Sequence, residues 1–423
     1  MPQNNRKSIF ALLALAISAF AIGTTEFISV GLLPLIARDL HISVTLTGLT
    51  VTLYALGVTI GAPILTSLTI NMSRKKLLLG IMLVFIAGNS TAALAGGISM
   101  LLAGRVISAF AHGVFMSIGT TIAADIVPEN RRASAIAILF SGLTIATVTG
   151  VPLGTFIGQQ LSWRTAFILI SLIGVVAFIA NMILIPSHLR KGKKTPVREQ
   201  LKLVTNGQLL LAFLMTALGY GGTFVVFTYL SPLLYHVTGF KESTTAFILL
   251  LYGIAIAIGN IIGGKTANRK PLSALLVMFS LQAVVLLLLT FTAPYKTAAL
   301  ITIFLMGLLA FMNVPGLQTY VLILAERFVP KAIDVASAVN IAAFNAGIAL
   351  GAYLGGVITE TIGLVHTGWV GAIMVTAAAL LTIWSQLLQR KEQESIASTQ
   401  TNEIRTQGGN FHDIASAKHN QAC

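Results

Sequence analysis

Apolar residues come in long, nearly unbroken blocks along this chain, and short polar segments separate them. Neither the alternation of a half-buried strand nor the narrow stripe of a soluble helix organises most of it. A membrane-crossing helix needs about 20 apolar residues. Twelve blocks reach that length, at 9–37, 44–70, 77–95, 99–126, 133–158, 165–185, 209–236, 243–268, 271–292, 297–325, 332–360 and 367–389. The first is too long for a cleaved leader and is followed by charges, so it is expected to stay as an anchor.

Composition supports this reading. The chain has 423 residues, of which 56% are hydrophobic and 9% charged. Soluble domains carry about 25% charged residues. The surface predicted here faces lipid.

The net charge of +14 first suggests nucleic acid, but its placement argues for topology. Segments on the side opposite the N-terminus hold only Arg38, Arg164, Lys241 and Lys296. Arg105 lies inside a block, so 22 of the 27 basic residues fall on the N-terminal side or in the tail. Basic residues mark the cytoplasmic side. Both termini are therefore expected in the cytoplasm of a plasma-membrane protein, with no nucleic-acid partner. The single cysteine, Cys423, permits no internal disulfide and no cysteine-based metal site.

The chain divides into 1–185, an inter-bundle loop 186–208, 209–391, and a polar tail 392–423 read as disordered. The two long parts resemble one another. VPENRRASA (127–135) answers VPKAIDVASA (329–338), and Tyr54 with SRKK answers Tyr252 with ANRK. Gly150, Gly154 and Gly158 answer Gly351, Gly355 and Thr359. Such repeats suit two bundles with a site between them near the midplane. The fold class expected is all-α, with twelve transmembrane helices in two pseudo-symmetric six-helix bundles.

One motif could mislead. GNIIGGKT, Gly259 to Thr266, matches the phosphate-loop pattern, which requires a strand before it. Here it closes an apolar block, so it reads as a glycine-rich helix end, and no nucleotide or other cofactor is expected. No nucleophile, base and orienting group stand at a plausible spacing, so an enzyme is not expected either.

Polar groups inside the blocks are the sharper signal. Glu26, in GTTEF, is the one deep acid. It lies roughly 25 Å from the start of its helix and 16 Å from its end. Arg105 is the one deep base, with Ser108 and His112 on about the same helix face. A charge at that depth costs on the order of 3 kcal/mol and usually faces a cavity or a partner. Burial raises a carboxyl pKa and a nearby arginine lowers it. A carboxylate moving between such environments would bind and release a proton. Arg105 could share in that, or could be a hydrogen-bond hub tying its helix to neighbouring backbones. His112 could relay protons, bind substrate, or simply be hydrogen-bonded. In the second half, Tyr220, Phe224, Asn313, Asn340 and Asn345 are cavity candidates for an uncharged, sugar-like or amphiphilic ligand. Gly142, Ala146, Gly150, Gly154 and Gly158 line one face of the fifth block, which also holds Pro152. That face suits close helix packing and is a candidate surface on which the bundles rock.

FAIGTTEF, GRVISAFAHG, LTIATVTGVPLGTFIGQQLSWR and NIAAFNAGIALGAYLGG together resemble the major facilitator superfamily, over the whole chain apart from the tail. More narrowly the chain is similar to twelve-span drug:proton antiporters, in the arabinose-type sugar-efflux subset. The resemblance implies Glu26 as the membrane carboxylate, Arg105 as the arginine of the fourth span, and Gly150, Pro152 and Gly154 as the antiporter motif. The loop after the second span departs from the family pattern, because Ile70 and Asn71 stand at its Asp-Arg positions and Asn268 replaces the acid of the second copy. Arg74, Lys75 and Lys76 remain as its gate residues. The expectation is a monomeric proton-coupled exporter whose partners are a small molecule, protons and the bilayer. An uncoupled facilitator or importer is the alternative, and a non-transporting receptor a more distant one.

Overall fold

A computed structural model describes residues 5–69, 72–128, 132–187, 189, 197–267, 270–391 and 394. Ile70, Asn71, Asn268 and most of the tail lie outside them. In hydrocarbon every backbone polar group needs an internal partner, and a helix supplies one within a single segment. The apolar blocks accordingly form helices: α1 (Asn5–Asp39), α2 (Val44–Thr69), α3 (Arg74–Ala93), α4 (Ile98–Asp125), α5 (Arg132–Gln160) and α6 (Trp163–Leu184) in the first half. The second half contains α7 (Val197–Thr205), α8 (Gly207–Phe227), α9 (Leu230–His236), α10 (Glu242–Ala267), α11 (Pro271–Thr292), α12 (Lys296–Ala310), α13 (Val314–Phe328), α14 (Ile333–Thr361) and α15 (367–391). Twelve spans are long and apolar enough to cross a membrane, arranged as two six-helix bundles, and no strand occurs among the described residues. Below, the near side is the one on which the chain starts and the far side its opposite.

Three features depart from the sequence reading. The seventh span is two helices, α8 and α9, broken at Thr228–Tyr229. The tenth is α12 and α13, broken at Phe311–Asn313. Pro232 and Pro315 sit in the first turns of α9 and α13, where a missing N–H costs nothing and a continuous helix would lose a bond. The inter-bundle loop contains α7, an amphipathic helix that buries Leu203 and exposes Leu201 and Val204. It hands over to α8 through Asn206, whose side chain accepts from the Gln208 and Leu209 N–H groups.

One apolar core lies entirely within the first half, from Ala11 to Ile185. The other occupies the second half and takes in Phe27, Val30, Leu33, Val51, Ala55 and Val151 from α1, α2 and α5. Those helices form the seam, with α2 packed on α14 and α5 on α10. Large apolar side chains such as Leu68, Phe247, Ile261 and Phe291 are exposed at the perimeter, where lipid would surround them.

The glycine face of α5 packs against α1 of its own half. A Cβ at Gly142 would overlap the Ala16 carbonyl, at Gly154 Ile28, and at Gly158 Leu32, while at Gly150 it would press on Thr24 at 3.2 Å. The expectation that this face is the rocking surface between bundles is therefore corrected. What meets α10 across the seam is the α5 backbone at Val148, toward which a Cβ on Gly253 would project to 2.7 Å. Residues 259–266 lie inside α10 as unbroken helix. A Cβ at Gly259 or Gly263 would overlap the carbonyls of Leu308 and Met312, so these glycines serve close helix packing.

Candidate functional site

Arg105 is 1% exposed, and its donors diverge into backbone carbonyls. Nε donates to Thr50 O of α2 at 3.1 Å, and the two terminal nitrogens donate to Thr25 O at 2.5 Å and Glu26 O at 3.3 Å on α1. The guanidinium carbon stands 4.1 Å from the centre of the Tyr54 ring on α2. The Tyr54 hydroxyl is 3.2 Å from Nδ1 of His112, two turns after Arg105 on α4. Five donors in a planar fork let one side chain tie three helices together. Thr25 extends the junction to α3 by hydrogen bonding Asn89, whose amide donates to Phe85 O. This is the hub arrangement. His112 takes its place in it through Tyr54.

Glu26 sits on the turn Arg105 grips, but the two side chains form no ion pair. Arg105 holds the main-chain oxygen of Glu26. The carboxylate has no described hydrogen-bond partner, and the residue is 9% exposed. Within its electrostatic reach are Arg105 and Tyr54 of its own half and Tyr220 of the other.

The next residue, Phe27, crosses the seam. Its ring centre lies 6.3 Å from Phe224, 6.4 Å from Phe227 and 6.0 Å from Phe311. Tyr220 lies 5.1 Å from Phe224, 5.1 Å from Phe311 and 5.0 Å from Phe344. Phe227 stacks on Tyr252 at 5.0 Å. Phe311 reaches this cluster from the α12–α13 break, so the break places an aromatic against Phe27, the residue after Glu26. The repeat partners Tyr54 and Tyr252 are both buried yet differently used, one under a cation and the other against a ring.

The amide candidates are dispersed. Asn313 donates to Gln282 Oε1 at 3.0 Å, and Gln282 bonds Thr223, inside the second half. Asn340 accepts from Thr216 at 2.8 Å and donates to Gln318 at 2.7 Å, which donates to Ser337 at 2.6 Å. These two hold helices of one bundle together. Asn345 donates to Ile341 O of its own helix, and its carbonyl oxygen is buried without a partner. Arg74 opens α3 and pairs with Asp125 at the near end of α4. Lys75 is half-buried and Lys76 exposed.

Tyr54, Asn89, Phe27, Phe311, Phe344 and Gln282 were not singled out from the sequence. Tyr54 carried a signal, since the repeat pairs it with Tyr252. The aromatics carried none that separates them from ordinary core.

Four described hydrogen-bonded contacts cross between halves. Arg38 pairs with Glu242, and Gln159 donates to Glu242 O at 2.6 Å. Thr45 donates to Gly356 O at 3.2 Å and Thr59 to Ala342 O at 3.4 Å. The first three are at the far end of the seam. There the Tyr229 hydroxyl, at the α8–α9 break, donates to Ala352 O at 3.2 Å. It fills the notch left by Gly48 of α2, where any Cβ would overlap it.

The profile of the Major Facilitator Superfamily matches residues 15–327. An uncharacterized MFS-type transporter, YtbD of Bacillus subtilis, is 71% identical over 93% of this chain and 100% of its own length. The inner membrane transport protein YdhP of Escherichia coli K12 is 37% identical over 92% and 98%. The putative transporter AraJ of the same organism is 32% identical over 84% and 89%.

Proposed function

Since the chain belongs to the Major Facilitator Superfamily and is a multi-pass membrane transporter, we propose that it exports a small sugar or drug-like molecule by proton antiport. Residues 1–185 and 209–391 act as the two bundles, and both termini face the cytoplasm. One observation carries this reading. Glu26 is a deep carboxylate without a described hydrogen-bond partner, beside an aromatic cluster shared by both halves. Such a group can take a proton or face a ligand without first breaking a salt bridge. Its environment must change whenever the halves move, because Phe27 is packed against Phe224 and Phe311. That change shifts proton affinity.

Arg105 acts here by position. It fixes the α1 turn that carries Glu26 and leaves the carboxylate free, with His112 reached through Tyr54. The closed far end, in this reading, is the conformer that admits substrate from the cytoplasm. The tight α1–α5 pair built on Gly150, Pro152 and Gly154 would move as one body. Arg74 with Lys75 and Lys76 would govern the near side.

Proton-driven uptake into inside-out vesicles tests it. Glu26→Gln is expected to abolish pH-gradient-driven transport while the protein stays monodisperse and thermally stable. Full gradient-driven transport by that variant would remove Glu26 from the mechanism. The commitment of Arg105 to carbonyls favours a second reading, an uncoupled facilitator with Arg105 purely structural. Substrate-induced proton release from purified protein separates the two, since only the antiporter releases protons.

A further inference from the structure

A cavity of about 350 Å3 opens on the perimeter between α5 and α6, on the side of α1 and α5 that faces away from the seam. Its floor is the α1 turn from Thr24 to Ile28 together with Gly150 and Gly154, and Leu153 and Leu172 stand at its mouth. The volume falls in the range of small-ligand pockets. The floor is deep because α5 presents glycines there, which let α1 approach its backbone and leave the space above unfilled.

The chemistry of the cavity is uniform. The one polar side chain in it is Thr24, whose hydroxyl is spent on Phe20 O at 2.8 Å. No polar group awaits a partner, so water or a sugar would lose hydrogen bonds on entering. Leu153 and Leu172 are each 54% exposed, which places the mouth at the lipid boundary. Depth agrees. The lining residues of α5 run from Gly150 to Ile157, near its end at Gln160, and those of α6 from Ala166 to Val176, after its start at Trp163. At 1.5 Å per residue they span roughly 5 to 20 Å from the far ends of these helices. One leaflet of a bilayer core is about 15 Å thick. Above them the buried Trp163 indole donates to Asp39 at the far end of α1, with the Arg164 guanidinium 4.2 Å from its ring centre.

We propose that this cavity holds one acyl chain of a phospholipid from the far leaflet, the outer one in the orientation above, as a bound lipid distinct from the exchanging annulus. The chain packs against the α1–α5 junction directly behind Glu26 and stabilises that pair. Hydrocarbon is the occupant because the site offers nothing else to bind, and phospholipid is the hydrocarbon that surrounds it.

Native mass spectrometry of full-length protein extracted from phosphatidylethanolamine–phosphatidylglycerol vesicles reads the retained lipid. Leu153→Trp and Leu172→Trp each plug the mouth from a lipid-facing position. They should lower the fraction of lipid-carrying protein about tenfold, a loss of about 1.4 kcal/mol of binding. Ile183→Trp, on α6 outside the cavity and at a 69% exposed position, should leave it unchanged. Added long-chain phosphatidylcholine should raise the melting temperature of detergent-purified wild type, and the dihexanoyl form should not, because a chain is what binds. Retention that ignores the tryptophans, equal effects of long and short chains, or retention of detergent alone would each overturn the proposal.

Discussion

A buried guanidinium is expensive unless each donor is met, and removing the group would strand several carbonyls. Arg105 meets its donors on two helices at once, so its replacement should be read first as a structural change. Arg105→Lys keeps the charge but has no fork, and should lose two of the three carbonyl bonds at about 1–3 kcal/mol each. Thermal unfolding in detergent would show it as a lowered melting temperature. Tyr54→Phe keeps the ring beneath the cation and gives up only the His112 contact, a loss of about 1 kcal/mol. If Tyr54→Phe proves as damaging as Arg105→Lys, the hub is not centred on the arginine. Glu26 and Arg105 could be found from hydropathy alone, because a lone charge stands out in an apolar run. What Arg105 binds could not be found, because backbone carbonyls have no letter in the sequence. Counting charges left Arg105 open between proton coupling and a hydrogen-bond hub, and in the fold the guanidinium turns to the main chain of the turn that carries Glu26.

Helix pairs show where spacing informs and where it stops. The small residues of α5, four apart, announce a close contact, yet the identity of the partner helix depends on the whole arrangement, and it is α1. Gly142→Ala tests the closeness. Its Cβ would strike the Ala16 backbone, which cannot swing away, and overpacking of this kind costs about 1–3 kcal/mol. Gly80, inside α3, has nothing within 4 Å of its would-be Cβ. Gly80→Ala should instead stabilise by about 0.5–1 kcal/mol through helix propensity. The two substitutions are identical in letters and should move the melting temperature in opposite directions. Destabilisation by both would mean that glycine serves flexibility in this chain rather than packing. The breaks at Thr228 and Phe311 were foreshadowed by Pro232 and Pro315, but hydropathy windows average over a proline and return one long span. The helix at Val197–Thr205 escaped for the opposite reason, being too short and too charged to register as a block.

At the scale of the molecule, the far end of the seam is held by parts of unequal strength. Arg38 and Glu242 are exposed enough that their pair contributes about 0–1 kcal/mol. Packing of Tyr229 into the Gly48 notch removes an aromatic from solvent, and burial of such a side chain is worth about 1.5–3 kcal/mol. The notch, rather than the ion pair, should therefore set how often the far end opens. A reporter for that opening is a thiol at Thr45, partly buried in the seam and bonded to Gly356 O, in a chain with Cys423→Ser. Labelling by a membrane-impermeant maleimide should be slow with the native notch. Gly48→Val, which fills the notch and expels the Tyr229 hydroxyl, should raise the rate by one to two powers of ten, the population change that about 1.4–2.8 kcal/mol produces. Glu242→Gln should raise it less than about fivefold. The reverse ranking would place control of the far end in surface charge and make opening strongly salt-dependent, since exposed pairs are screened by salt. The ranking also bears on Glu26. Phe27 shares one aromatic cluster with Phe224 and Phe227, close along the chain to the break that carries Tyr229. A substitution that opens the notch should therefore change the surroundings of the carboxylate, and under the proposed antiport Gly48→Val should alter proton release on substrate addition although it lies on another helix.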